Sequence, residues 1–250
     1  MPFVDNSEEA HRDQPPEAAQ IVSTIRIETI HGNTSYLGEF RIRPRQIDFD
    51  RADAVNLQGR FLGIDNRGIS YGLTSQWTSV LESGQAEPVV SLLQAFDSEI
   101  QGVALRADKA GRAVLRIDHK SLGIMPVEMQ GAGVGKALAI ASHLVDTANG
   151  MLMIDEIDSS LHVGVLERVI KFTLQAANRH NVQLFASTHS LETLDAFLDA
   201  YEDMSDLYSS KQDFRILQLK REGGRTVVTN LDAEEARRMR DDLGLDLRRT

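Results

Sequence analysis

The acidic pair Asp155-Glu156 follows directly on a run of four apolar residues, Met151–Ile154. A short continuous apolar run is typical of a strand inside a parallel sheet. The carboxyl ends of such strands form the edge at which α/β sheets bind ligands. There, Asp155 can hold Mg²⁺, which prefers oxygen ligands, and Glu156 can orient or deprotonate a water molecule that attacks a phosphate. The alternative is that the two acids simply begin a solvated loop. Apolar strands are often followed by acidic residues, so the pattern alone does not indicate a site.

A histidine follows the next predicted strand. His189 lies in Ser187-Thr188-His189-Ser190, directly after the predicted strand at residues 182–186. An imidazole at this position could donate a hydrogen bond to a phosphate oxygen. The alternative is a polar loop residue that caps the following helix, but Ser190 already fills that role. We therefore predict that Asp155, Glu156 and His189 belong to one site.

A glycine-rich segment, residues 130–137, superficially resembles a phosphate-binding P-loop. It does not match G-x-x-x-x-G-K-[ST], because Gln130 replaces the first glycine and Ala137 replaces the final Ser or Thr. The pattern occurs nowhere in the 250 residues. We interpret the segment as a turn that opens a helix, whose free N–H groups and dipole can bind a phosphate. In a dimer, this helix start could face a nucleotide held by the opposite subunit.

Composition excludes several classes of protein. The net charge of −10 argues against a broadly basic nucleic-acid clamp and leaves only a local basic patch open. The chain has no Cys, which excludes disulfides, thiolate metal sites and cysteine nucleophiles and indicates a reducing cytoplasm. Its apolar stretches are too short to span a bilayer, so we expect a soluble protein with no membrane contact.

We predict an α/β fold in which antiparallel hairpins come first and alternating helices and strands follow. Predicted strands are residues 21–27, 36–42, 60–64, 103–106, 113–117, 151–154, 182–186, 214–219 and 226–229. Predicted helices are residues 73–81, 88–96, 134–148, 164–179 and 191–201, with a last helix from Asp232. The domain prediction is a disordered acidic tail at 1–19, a β-hairpin and helical subdomain at 20–126, and an α/β lobe at 127–250.

Taken together, these motifs resemble the C-terminal half of an ABC-type ATPase of the RecF/OLD/SMC-like group, often called AAA-family ATP-binding proteins, over residues 89–246. The matching segments are Gly131-Ala132-Gly133-Val134 for the signature motif, residues 151–156 for the Walker B strand, residues 158–162 for the D-loop and His189 for the switch histidine. The resemblance implies an incomplete P-loop NTPase fold, with a parallel sheet flanked by helices and with antiparallel hairpins.

The resemblance also implies cofactors and roles. ATP and Mg²⁺ are the expected cofactors: Asp155 coordinates Mg²⁺, Glu156 is the catalytic base and His189 senses the γ-phosphate. The residues expected to bind ATP, in part across a head-to-tail dimer, are Gly131, Ala132, Gly133, Val134 and Ser159.

The sequence departs from that family in two places. Members of the family begin with a strand, a P-loop and its helix, whereas this sequence begins after them, and Gly131 stands where a Ser is common. The missing region could reflect a misplaced start, a split gene or a degenerate copy, or a separate protein could supply the P-loop. Two functional hypotheses stay open. One is an ATPase subunit or fragment that works as a homodimer or with a P-loop-bearing partner chain, and the other is an inactive pseudo-ATPase that serves as a dimerisation or interaction module.

Overall fold

The computed structural model describes residues 23–31, 34–43, 46–51, 58–63, 72–204, 214–222 and 225–241. The predicted tail at residues 1–19 lies outside these ranges. The chain divides into two compact units, one ending at Asn56 and the other beginning at Leu57. Within the described ranges, no helix combines the length and the apolar character needed to cross a bilayer.

The first unit is an antiparallel sheet of three strands in the order β1-β2-β3. Its strands are β1 (Ser23–His31), β2 (Thr34–Arg43) and β3 (Gln46–Arg51). The predicted hairpin is confirmed, because His31 pairs with Thr34 across the turn. The third strand was not predicted, because its alternating run is short and contains only two apolar residues, Ile47 and Phe49.

The second unit begins with a strand that belongs to a parallel sheet. In chain order it contains β4 (Gly59–Leu62), α1 (Thr74–Glu82), α2 (Ala86–Leu93), β5 (Ile100–Ala107), β6 (Ala113–His119), β7 (Gly123–Pro126), α3 (Ala132–Asp146), β8 (Met151–Ile154), α4 (Val163–Arg179), β9 (Gln183–Ala186), α5 (Leu191–Asp203), β10 (Ile216–Glu222), β11 (Arg225–Leu231) and α6 (Ala233–Asp241). Every predicted strand and helix therefore has a counterpart, with ends that differ by a few residues. The strand β7 and the short 3₁₀ turn Val127–Gln130 were not predicted.

The parallel sheet has the order β4-β8-β9, so the strand that precedes the acidic pair lies at its centre. Phe61, Met153 and Phe185 pair across the three strands and share one face of the sheet. The next row, which contains Ile154, lies on the other face. Leu152 and Ile154 are buried in the hydrophobic core that α3 and α4 share. The continuous apolar run therefore forms the central strand that the sequence predicts.

Helix α3 is the most deeply buried helix of this unit. All residues from Val134 to Ser142 are buried, which confirms the prediction of a helix packed on more than one side. It begins two residues earlier than predicted, because Gly131 adopts a φ of 92° and acts as the non-helical N-cap. Helix α3 thus places the glycine-rich segment at its N-terminus.

Two other helix starts follow the predicted capping chemistry. The Ser190 hydroxyl accepts a hydrogen bond from the Thr193 N–H at 3.1 Å, which caps α5. Asp232 and Glu235 form a reciprocal capping box at the start of α6, with bonds of 2.8 and 2.9 Å. Ser190 therefore fixes where α5 begins, immediately after His189.

Candidate active site

Asp155 lies where the central strand ends. Its backbone N–H donates to the Leu62 carbonyl at 2.9 Å, which continues the pairing with β4 past the end of the strand. Its carboxylate oxygen Oδ1 accepts a hydrogen bond of 2.5 Å from the Ser187 hydroxyl. Ser187 follows β9, so this bond joins the ends of two neighbouring parallel strands. The carboxylate is half-buried at the carboxyl edge of the sheet.

Glu156 turns the chain away from the strand. It adopts a φ of 44°, a left-handed conformation that costs a residue with a Cβ about 1–2 kcal/mol. Its N–H donates to the Ser187 hydroxyl at 2.8 Å, and the next N–H, of Ile157, donates to the Ser187 carbonyl at 3.0 Å. One serine thus contacts the side chain of Asp155 and the backbone of Glu156, which holds the two acids in a defined relation.

The D-loop-like segment continues as a tight turn. The Ser159 N–H donates to the Glu156 carbonyl at 2.9 Å, and Ser160 adopts a φ of 67°. The Asp158 carboxylate accepts a 2.5 Å bond from the Thr188 hydroxyl, which also accepts from the Ser190 N–H. A second hydroxyl of the segment around His189 thus holds the acidic loop.

The glycine-rich start of α3 packs against this loop. A Cβ atom added to Gly133 would lie 2.9 Å from the Ser160 carbonyl oxygen and 3.0 Å from the Phe96 ring. Only glycine permits so close an approach without a shift of the backbone. Gly131 and Ala132 are exposed, whereas Gly133 is half-buried and Val134 is buried. The structure therefore brings Gly133 beside the Ser159-Ser160 turn and leaves the first two residues open to solvent.

Lys136, on α3, contacts the backbone of the acidic pair. It is a fully buried lysine, and its Nζ atom donates to the carbonyl oxygens of Asp155 at 3.4 Å and Glu156 at 3.3 Å. Burial lowers the pKa of the Lys136 ammonium below its ordinary value, and the carboxylates of Asp155, Asp158 and Glu156 oppose part of that effect. Sequence inspection treated this lysine only as part of a failed P-loop match. The signal that could have identified it is a lysine that is the one charged residue in the mostly apolar stretch 134–142.

His189 lies two residues beyond Ser187 on the same edge. Its side chain is exposed, and the residues on both sides of it are fixed by the hydroxyl of Thr188 and by the N-cap of α5. The structure therefore places Asp155, Glu156 and His189 at the ends of adjacent parallel strands. Sequence analysis missed Ser187 and Thr188 as contributors, although a polar residue that follows each parallel strand was a usable signal.

The donor set suits a metal ion that arrives with a nucleotide. Among the described residues, no group of three or more His, Asp or Glu side chains could hold a metal ion alone. Mg²⁺ is commonly held by one or two carboxylates together with phosphate oxygens and water. Asp155 fits that arrangement, because only its Oδ1 atom accepts the Ser187 bond and the side chain is half-exposed.

Comparison with protein families identifies the chain. A family model described as "AAA domain, putative AbiEii toxin, Type IV TA system" matches residues 25–195, more than half of the chain. The chain belongs to this AAA family. The resemblance predicted from the motifs around Asp155 and His189 is therefore confirmed at the level of the family.

Individual relatives agree with that assignment. An uncharacterised protein of Methanocaldococcus jannaschii, MJECL11, is 32% identical to this AAA chain over 120 residues, which cover 47% of the chain and 98% of the relative. Among solved structures, an SmcHead bound to the C-winged helix domain of ScpA superposes with a TM-score of 0.53 at 13% identity, and the match covers 81% of the chain and 70% of that structure. The predicted ABC-like α/β fold is confirmed by this similarity, which at such low identity concerns the fold alone.

Proposed function

We propose that this AAA chain supplies the acidic half of an ATP-hydrolysing site and works together with a P-loop that lies outside the 250 residues. The observation that supports this function best is the hydrogen-bonded unit of Asp155, Glu156 and Ser187 at the carboxyl edge of the parallel sheet. That edge is where α/β folds bind phosphorylated ligands. His189 follows β9, the strand adjacent to the one that precedes the acidic pair.

Each residue has one task in this proposal. Asp155 holds Mg²⁺, which when bound neutralises charge on the phosphates of ATP. Glu156 orients and deprotonates the attacking water, for which its half-exposed carboxylate is accessible. The exposed imidazole of His189 donates a hydrogen bond to the γ-phosphate. In a dimer, Gly131, Ala132, Gly133 and Ser159 face ATP bound on the partner, where the N-terminus of α3 favours negative charge. Val134, which the sequence also predicted as an ATP-binding residue, is buried in the core and contributes at most its backbone N–H.

Exposed aromatic side chains on one face of the parallel sheet, within the described residues, support the proposal of a further segment. Phe61 and Phe185 are 65% and 44% exposed on the row that they share with Met153. Parallel sheets in α/β proteins are normally covered by helices on both faces. A helix that follows a P-loop would bury this row and bring its phosphate-binding N-terminus toward the edge that carries Asp155.

The test is ATP binding and hydrolysis by the purified chain, alone and with a P-loop-bearing protein encoded beside it. We expect very weak ATP binding by the chain alone, because its 250 residues contain no G-x-x-x-x-G-K-[ST] loop, whose backbone and lysine hold the β- and γ-phosphates. In the assembly that hydrolyses ATP, Glu156→Gln should lower kcat by roughly 10²- to 10³-fold and leave ATP binding intact. Glu167→Gln, on the exposed side of α4, is the matched control and should have the wild-type rate. Wild-type hydrolysis by Glu156→Gln would rule the proposal out.

The second function is a pseudo-ATPase that serves as an interaction module. The specific observation in its favour is the lack of G-x-x-x-x-G-K-[ST] in the 250 residues. Here the chain self-associates or binds its partner through the same surface, and neither step requires nucleotide. If every assembly fails to hydrolyse ATP while Glu156→Gln and wild type associate equally well, this function replaces the first.

A further inference from the structure

Helix α3 contacts the loop that carries the acidic pair at two points. Gly133 lies against the Ser160 carbonyl, and Lys136, one turn further along the helix, donates to the carbonyls of Asp155 and Glu156. Side chains three residues apart lie on the same side of a helix. One face of α3 therefore contacts the loop at its beginning and at its end.

The contacts of Lys136 are unusual for a lysine. Its side chain has no exposed surface, and within the described residues its ammonium donates to no carboxylate oxygen, only to two main-chain oxygens at 3.3 and 3.4 Å. A buried charge is expensive, and replacement of such a group by an apolar residue of similar volume is often neutral or stabilising. Stability alone therefore gives no reason for an ammonium at this position.

The position of the two oxygens suggests what the charge does. They belong to the two residues proposed to hold Mg²⁺ and to activate water, and the second has the left-handed backbone conformation. We propose that Lys136 is a positioning residue whose ammonium fixes the carbonyl groups of Asp155 and Glu156 and thereby couples the glycine-rich start of α3 to the acidic pair. A displacement of α3 then shifts Glu156. This inference rests on the proposed function, because it assigns the pair a catalytic task.

The effect of the Lys136 ammonium on the loop can be tested without nucleotide. The probe is hydrogen exchange at the Ile157 and Ser159 amides, whose bonds to Ser187 and Glu156 depend on the path of the loop. The groups that face the ammonium are the carboxylates of Asp155, Glu156 and Asp158. Loss of the Lys136 ammonium should therefore appear as faster exchange at these two amides.

In the wild-type chain, these amides should be well protected relative to intrinsic exchange at pH 7. Lys136→Met should lose about tenfold of this protection, while its urea midpoint is equal to or above that of wild type. Lys136→Arg keeps a cation at this position and should retain the protection. Lys171→Met, which removes a lysine paired with Asp203 on the surface, is the matched control and should be protected as in the wild-type chain.

Wild-type protection of these amides in Lys136→Met would overturn the assignment, as would a loss of protection in Lys171→Met equal to that in Lys136→Met. Hydrolysis separates this inference from the proposed function. In the active assembly, Lys136→Met should lower kcat about tenfold and leave the KM for ATP within twofold. A normal kcat in Lys136→Met beside an inactive Glu156→Gln refutes the role of Lys136 only. Normal rates in both variants refute the proposed function.

Discussion

The two faces of the parallel sheet are built from similar residues and have opposite surroundings. On one face, Leu152 and Ile154 are 0% and 2% exposed and belong to the core formed with α3 and α4. On the other, Phe61 and Phe185 are 65% and 44% exposed, although both lie in register with Met153 of the central strand. The strand β8 contributes to both faces, so its apolar sequence does not distinguish them. The acidic edge therefore belongs to a sheet with one packed face and, among the residues that the structure describes, one face with exposed aromatic side chains.

The strongest test of this comparison is a pair of truncations on the two faces. Leu152→Ala should lower the free energy of unfolding by about 2–5 kcal/mol, because it leaves a cavity in a packed core. Phe61→Ala should change it by less than about 0.5 kcal/mol, because the ring is 65% exposed. Urea unfolding of the chain measures both values. An equal loss in the two variants would show that the second face is covered in solution, and the contrast between the faces would disappear.

A smaller effect is expected where α3 meets the acidic loop. Gly133→Ala places a Cβ atom 2.9 Å from the Ser160 carbonyl, so the helix and the loop must move apart. We expect a loss of about 1–3 kcal/mol in urea unfolding, as for other overpacked sites. Gly102→Ala is the matched control, because an added Cβ there meets no atom within 4 Å. If both variants have the wild-type midpoint, α3 does not press on the loop as closely as described.

Residues next to one another in the sequence made the centre of this site predictable. The apolar run Met151–Ile154, the acids after it and the helix cap at Ser190 are local patterns, and each one has the predicted place in the fold. The pairing of β4 with β8 joins Gly59 to Met151, and no local window contains both. The same limit applies to Ser187, whose two bonds depend on the register between β8 and β9. Long-range register decides which polar residues join a site, so the supporting residues emerged only from the structure.

The smallest predicted effect is on the pH dependence of the unfolding free energy. It comes from His143 on α3, a helix that packs on the covered face of the sheet. Burial lowers the pKa of the His143 imidazole below its ordinary value of 6.5, nearby Arg60 lowers it further and Asp146 opposes both. The Nδ1 atom is buried and has no hydrogen-bond partner in the part of the chain that the structure describes.

The sign of the effect follows from linkage. Because the folded chain binds this proton more weakly than the unfolded chain, His143 has no effect on stability well above pH 6.5 and destabilises the fold as pH falls below that value. His143→Gln cannot titrate, so its unfolding free energy should fall less between pH 7 and 5 than that of wild type. Urea unfolding at pH 8, where the imidazole is neutral in both states, isolates the cost of the substitution itself. Parallel pH profiles for the two proteins would show that His143 takes up its proton as readily in the fold as in the unfolded chain. The surroundings of His143 would then be more accessible to water than the burial of Leu152 and Ile154 on the same face of the sheet indicates.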